Sequence, residues 1–109
     1  MYFNALALLG SMNLIVTRHP GAVEWLERRG LTGTYIEHAT GDEGEPGDAV
    51  YGPPPIDFAA KFLGRGLSVY FIALPEISLD LRKGELSADQ IEAAGATLLH
   101  VKAIQIEPA

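Results

Sequence analysis

The chain contains no cysteine. Disulfides, thiolate metal sites and a cysteine nucleophile are therefore excluded, and the composition suits a reducing compartment. No apolar run reaches the roughly 18–20 residues that a bilayer-crossing helix needs. The apolar opening, residues 1–12, has no basic flank and no small-residue cleavage pattern, so it does not read as a secretory signal. The expectation is a cytoplasmic protein with no membrane partner. Bases are also scarce, with eight Lys and Arg against fourteen Asp and Glu and a formal net charge of −6. That balance argues against a duplex nucleic-acid surface, which is usually basic. The three histidines, His19, His38 and His100, lie far apart without metal-ligand spacing, so no zinc site is expected. There is no GxGxxG, no P-loop and no calcium-loop spacing of carboxylates, and no cofactor is expected.

What remains is a globular balance: 48% of the 109 residues are apolar and 20% charged, enough for one core and too little for two ordinary domains. We read residues 13–109 as a single domain and 1–12 as an N-terminal extension. Met12, following Gly10-Ser11, has the look of a natural start, and a packed segment over residues 1–11 is an equal alternative. The acid is unevenly spread. Glu37, Asp42, Glu43, Glu45 and Asp48 lie in one stretch without Lys or Arg, and setting those five of the fourteen acids aside leaves nine against eight bases. A local site for a small anion is compatible with that remainder. A homodimer is the expected assembly for a domain this small.

Asn13 to Thr17 is a β-branched apolar run and reads as a buried strand. Pro20 stands where a helix tolerates proline, at its first turn, and the helix runs to Arg29 with Gly30 as its stop. Val23 and Leu26 supply its inner face, Trp25 reads as a core residue, and Glu24 pairs with Arg28 at i,i+4. Thr34-Tyr35-Ile36 and Ala49-Val50-Tyr51 are short strands separated by an exposed acidic loop over 41–47. After Gly52-Pro53-Pro54-Pro55 comes a second helix with an apolar stripe of Ile56, Ala59, Ala60 and Leu63, an Asp57–Lys61 pair, and Gly64 and Gly66 at its end. Leu67 to Leu74 is the strongest strand, apolar enough to be covered on both faces. Residues 76–85 read as a loop. Ser87-Ala88-Asp89-Gln90 is a capping box that opens a third helix, and Gly95 closes it. Leu98 to Ile106 is a final strand whose alternation changes phase near Ala103, which allows a bulge or an early end.

This alternation implies an α/β fold, a mostly parallel sheet flanked by helices. Ligands of such sheets bind beyond the carboxyl ends of strands, and the rule selects Thr17–Gly21, Gly52–Pro55 and Pro75–Glu85. Thr17-Arg18-His19-Pro20-Gly21 combines a permanent cation with a planar donor fork, an imidazole that titrates near neutrality, and the free N–H groups of a helix start. The bland alternative, of about equal weight, is that Arg18 pairs with a surface acid and His19 caps the helix. Arg82-Lys83-Gly84-Glu85 with Ser87 is the second candidate, though a solvated turn with an ordinary cap is the commoner meaning of such a pattern. Lys61 and Arg65, one turn apart, can also reach a ligand, but more often belong to a solvated face.

Residues 17–26, Thr-Arg-His-Pro-Gly-Ala-Val-Glu-Trp-Leu, resemble the opening strand-to-helix signature of a small CRISPR-associated family of type III systems, the Csx family numbered sixteen. Gly52-x-x-Pro55, Ala59-Ala60 and Arg65-Gly66 resemble its middle, and Arg82-x-Gly84-Glu85-Leu86-Ser87 its third motif. The resemblance runs from about Asn13 to Ile106. Thr17 replaces a frequent serine, which keeps the hydroxyl, and Lys83 stands within the third motif's Arg–Gly pair. The resemblance implies a Rossmann-like, CARF-like domain related to sensors of cyclic oligoadenylates, and a ring nuclease that removes cyclic tetra-adenylate without metal. Under it, Arg18 and His19 are the catalytic pair, and Thr17, Pro20, Gly21, Gly52, Arg82, Lys83, Glu85 and Ser87 hold the ligand. Two other functions stay open. One is a protein that sequesters the same messenger. The other is an interaction module that docks on a defence component through the acidic loop or Trp25.

Overall fold

A computed structural model describes residues 12–74 and 85–109. Its elements run in the expected order: β1 (Asn13–Val16), α1 (Pro20–Arg28), β2 (Thr34–Ile36), β3 (Ala49–Gly52), α2 (Ile56–Gly64), β4 (Ser68–Ala73), α3 (Ala88–Ala93) and β5 (Thr97–Val101). The strands form one sheet in the order β2-β1-β3-β4-β5. All neighbours are parallel except β4 and β5. The result is one mostly parallel α/β domain of Rossmann-like architecture.

Period-two alternation divides the strand side chains between two faces. Ile15 and Tyr51 point to the face covered by α1 and α3, where they join Ala22, Trp25, Leu26, Ala88 and Ile91. Leu14, Val16, Val50 and Val69 point to the face covered by α2, where they meet Ala59 and Phe62. Trp25 is only 1% exposed, and its Nε1–H donates to Glu92 Oε1 at 2.7 Å, so the indole is a core residue that ties α1 to α3. Arg29 lies 4.1 Å above its ring, and Glu24 and Arg28 pair as expected at 2.6 Å. An interaction module working through Trp25 is overturned by this burial.

The helix ends follow the glycines. Gly30 takes φ +79 just past α1, where Gly30 N–H donates to Glu27 O and Leu31 N–H to Leu26 O, a Schellman closure that L side chains resist. Gly66 and Gly95 close α2 and α3 in the same way. The capping box of α3 is complete, with Gln90 N–H donating to Ser87 Oγ and Ser87 N–H to Gln90 Oε1.

Four expectations need correction. The buried residues of α2 are Ala59 and Phe62, whereas Ile56 at the helix start is 56% exposed. The stripe is rotated because Phe62 is the larger apolar group and sits opposite Val50 and Val69. Lys61 does not pair with Asp57. Its Nζ lies 2.9 Å from Asp42 in the preceding loop, and Asp57 accepts from Phe58 N–H instead. The acidic stretch is more than an exposed loop. Asp48 is 2% exposed and accepts from the N–H groups of Met12 and Glu45. Arg65 donates to the carbonyls of Gly41, Glu43 and Gly44, so it organises this loop from below. Finally, β5 ends at Val101 rather than Ile106. Val101 pairs with Val69, and β4 begins at Ser68, so beyond Lys102 no ladder partner remains. Ile104 then packs on the α2 face, which is the phase change seen near Ala103.

Candidate functional site

In this strand order β1 connects outward to β2 through α1, and β3 connects the other way to β4 through α2. The chain thus leaves the carboxyl ends of β1 and β3 in opposite directions. A crevice at such a topological switch point is the standard ligand position in open α/β sheets. A hollow of about 650 Å³ lies there. It is walled by Val16 to His19 after β1, Glu37 to Ala39 after β2, and Pro53 to Pro55 with Phe58 before and within α2.

Thr17, Arg18 and His19 all line this hollow. Thr17 Oγ1 accepts from His19 N–H at 3.1 Å and so shapes the turn into α1. Arg18 is exposed, and among the described residues no carboxylate lies within ion-pair distance of its guanidinium. Among the described residues, then, it has no partner for the surface salt bridge of the bland reading. His19 occupies the N-cap position, where its carbonyl accepts from Ala22 and Val23, but its side chain makes no cap bond. The ring turns instead to Glu85, with Nδ1 at 3.1 Å from Oε1 and 3.3 Å from Oε2. A carboxylate on one ring nitrogen fixes the tautomer and aim of the other. Glu85 thus sits at the site beside His19.

The other expected ligand residues take different places. Pro20 is the first residue of α1 and lines a shallower groove of about 550 Å³ with Val23, Glu24, Glu27 and Tyr35. Gly21 is a close-approach position, since a Cβ there would lie 1.8 Å from Leu86 O. Its bare Cα lets the segment carrying Glu85 come down onto the start of α1. Gly52 is the last residue of β3, and a Cβ on it would meet Pro54 at 2.6 Å and Val16 O at 3.0 Å. It permits the tight exit of the chain at the mouth. Ser87 spends its hydroxyl on the α3 cap. Arg82 and Lys83 lie outside the described residues. Lys61 and Arg65 are committed to the loop over 41–44.

Two polar residues of the hollow were absent from the sequence expectation, Glu37 and His38. They follow β2 directly, and the same rule that selected the end of β1 selects them once 34–36 is accepted as a parallel strand. Their rings and carboxylates repeat the β1 theme, with His38 Nε2 3.8 Å from Glu37 Oε2.

The mouth thus offers one guanidinium unpaired among the described residues, two imidazoles, the carboxylates of Glu37 and Glu85 and a wall of prolines. The N–H groups expected at the start of α1 are largely spent, since Pro20 has none and those of Ala22 and Val23 donate to His19 O. Fold and mouth define a Rossmann-like α/β domain with a polar hollow at its switch point. The chain belongs to the CRISPR-associated family described as "Putative CRISPR-associated protein (Cas_VVA1548)", whose model matches residues 14–104. No curated protein and no solved structure matches the sequence.

Proposed function

We propose that this protein is a ring nuclease of type III CRISPR defence, which binds cyclic tetra-adenylate in the switch-point hollow and opens it by in-line attack of a 2′-hydroxyl. The observation that carries the reading is the exposed Arg18 guanidinium, unpaired among the described residues, beside an imidazole held by Glu85. Family membership supports the defence setting, and the resemblance in residues 17–26 supports the messenger as substrate.

A cyclic oligoadenylate carries a 2′-hydroxyl beside every phosphate, so the nucleophile is already in the substrate. The 2′-oxygen bonds to phosphorus, the P–O5′ bond breaks, and the products are linear oligoadenylates ending in a 2′,3′-cyclic phosphate. The protein's share is alignment and neutralisation of growing charge. Arg18 clamps the non-bridging oxygens with its donor fork. His19, aimed by Glu85, gives a proton to the departing 5′-oxygen. Thr17 holds the turn that carries Arg18 and His19 into the hollow. A two-fold dimer would present two such mouths to a two-fold ring.

The test is incubation of purified protein with cyclic tri-, tetra- and hexa-adenylate in chelator-containing buffer, followed by chromatography. Linear products ending in a 2′,3′-cyclic phosphate are expected from the tetra-adenylate. A ring that is retained by the protein yet returned unchanged would make it a sequestering protein instead.

A further inference from the structure

In-line displacement at phosphorus puts the attacking and leaving oxygens on opposite sides of the reacting atom. One side chain cannot take a proton on the first side and give one on the second in the same step. With His19 giving a proton on the leaving side, a group that takes one on the attacking side would add to alignment and charge neutralisation.

The structure supplies a second group. Val16 and Ile36 are register partners on adjacent parallel strands, which run about 4.8 Å apart. Two residues beyond Val16 stands Arg18, and two beyond Ile36 stands His38, so the two chains leave the sheet side by side. Both lead into the same hollow, which His19 and His38 line together. Each imidazole has its own carboxylate, Glu85 at 3.1 Å from His19 and Glu37 at 3.8 Å from His38. Both rings are exposed to solvent and neither is used in the core. Glu37 also lines the hollow, 3.8 Å from the His38 ring and beyond hydrogen-bond distance, but an imidazole is the better proton acceptor near neutral pH.

We infer that His38 is the general base of this site, facing His19 across the phosphate held by Arg18. The inference rests on the cleavage reading. His38 starts neutral and takes the proton of the 2′-hydroxyl as the 2′-oxygen bonds to phosphorus. The P–O5′ bond breaks, and His19, which starts protonated, gives its proton to the 5′-oxygen. The electron pair of the broken bond stays on that oxygen. The site ends with His38 protonated and His19 neutral, and exchange with water restores both.

The experiment uses cyclic tetra-adenylate and the same ring with sulfur in place of each bridging 5′-oxygen, because a thiolate departs without a proton. Cleavage rates are measured at saturation for the parent protein and for His38→Ala, His38→Gln, Glu37→Gln and His19→Ala. Affinity is read separately with a 2′-O-methyl ring, which cannot react. His38→Ala and His38→Gln are expected to lower kcat by about 10²–10⁴-fold with affinity unchanged, and the sulfur substrate should not restore them. The same substrate should restore His19→Ala. The inference is overturned if the His38 variants cleave at the parent rate, if their loss follows affinity alone, if sulfur rescues them, or if Glu37→Gln is inactive while His38→Ala is not. Those outcomes leave the cleavage reading standing. A parent protein that cleaves neither ring removes that reading, and this one with it.

Discussion

The carboxylate of Glu85 stands 3.1 Å from Nδ1 of His19, a residue 66 positions earlier in the chain. It joins the start of α1 to the segment that leads into α3. Both side chains are well exposed, so the contact adds little to stability. Its value lies in aim. Glu85→Gln is expected to lower the cleavage rate about 10–100-fold, the usual cost of losing a partner that orients a functional imidazole, with an unchanged thermal midpoint. Single-turnover cleavage and calorimetry together check this. An unchanged rate would show that the ring is aimed by something else.

Arg18 carries the affinity in our reading. Arg18 is exposed and has no ion-pair partner among the described residues, so the stability of Arg18→Ala should stay within about 0.5 kcal/mol of the parent. Binding of the 2′-O-methyl ring should weaken about 10–100-fold, the range for losing a charge-assisted hydrogen bond. Arg18→Lys should recover only part of it, since the ammonium lacks the planar fork. Equal binding by all three proteins would detach Arg18 from the ligand.

The element order was legible because apolar alternation, prolines at helix starts and glycines at helix ends agreed with one another. The details that failed were those set by contacts across the chain. The stripe on α2 was drawn from spacing alone, and spacing does not say that Phe62 fills the gap under Val50 and Val69 while Ile56 stays at the rim. Lys61 was given its helical neighbour, whereas folding brings Asp42 nearer. The site was half legible. Arg18 and His19 stand in a compact motif, but His38 joins them only through the pairing of β1 with β2, and that pairing is a property of the sheet.

Gly21 offers a way to disturb the site through the backbone. In Gly21→Ala the new methyl would meet Leu86 O at 1.8 Å, so the segment bearing Glu85 must move. A loss of about 1–3 kcal/mol is expected from such overfilling, together with reduced cleavage. Gly30→Ala is the control. Its Cβ meets nothing within 4 Å, and its cost of about 1 kcal/mol or more comes from the positive φ alone. Urea unfolding and cleavage assays on both proteins separate the effects: only Gly21→Ala should lose activity while folded.

The acidic loop gives a pH signature. Burial pushes the Glu43 carboxyl up, but hydrogen bonds from its own N–H, the N–H groups of Thr40 and Gly41 and the Thr40 hydroxyl outweigh it and hold it below the ordinary value of 4.5. A carboxyl lowered in the folded state contributes stability above its unfolded value and loses that contribution as pH falls through the folded one. The stability gap between parent and Glu43→Gln should therefore be constant from neutral pH down to about 5 and shrink below 4.5. Urea midpoints across a pH series check it, and a gap that widened on acidification would contradict the assignment.

Trp25 should be the costliest side chain to shorten. Trp25→Ala removes a fully buried ring and the link to Glu92 together, with an expected loss of about 3–5 kcal/mol. Trp25→Phe keeps a ring but not the N–H, and about 1 kcal/mol of its loss should trace to the missing hydrogen bond. Neither residue lines the hollow, so ligand affinity of the folded fraction should be the same in both proteins.

The walls of the hollow come from short stretches that leave the ends of three strands. Within them the exposed positions 18, 19, 37, 38, 53 and 55 face outward, whereas Ala39 and Pro54 pack inward. Such an arrangement separates what evolution must preserve from what it is free to rewrite. The few outward-facing positions of the rim can then vary in chemistry without a change in the frame beneath them.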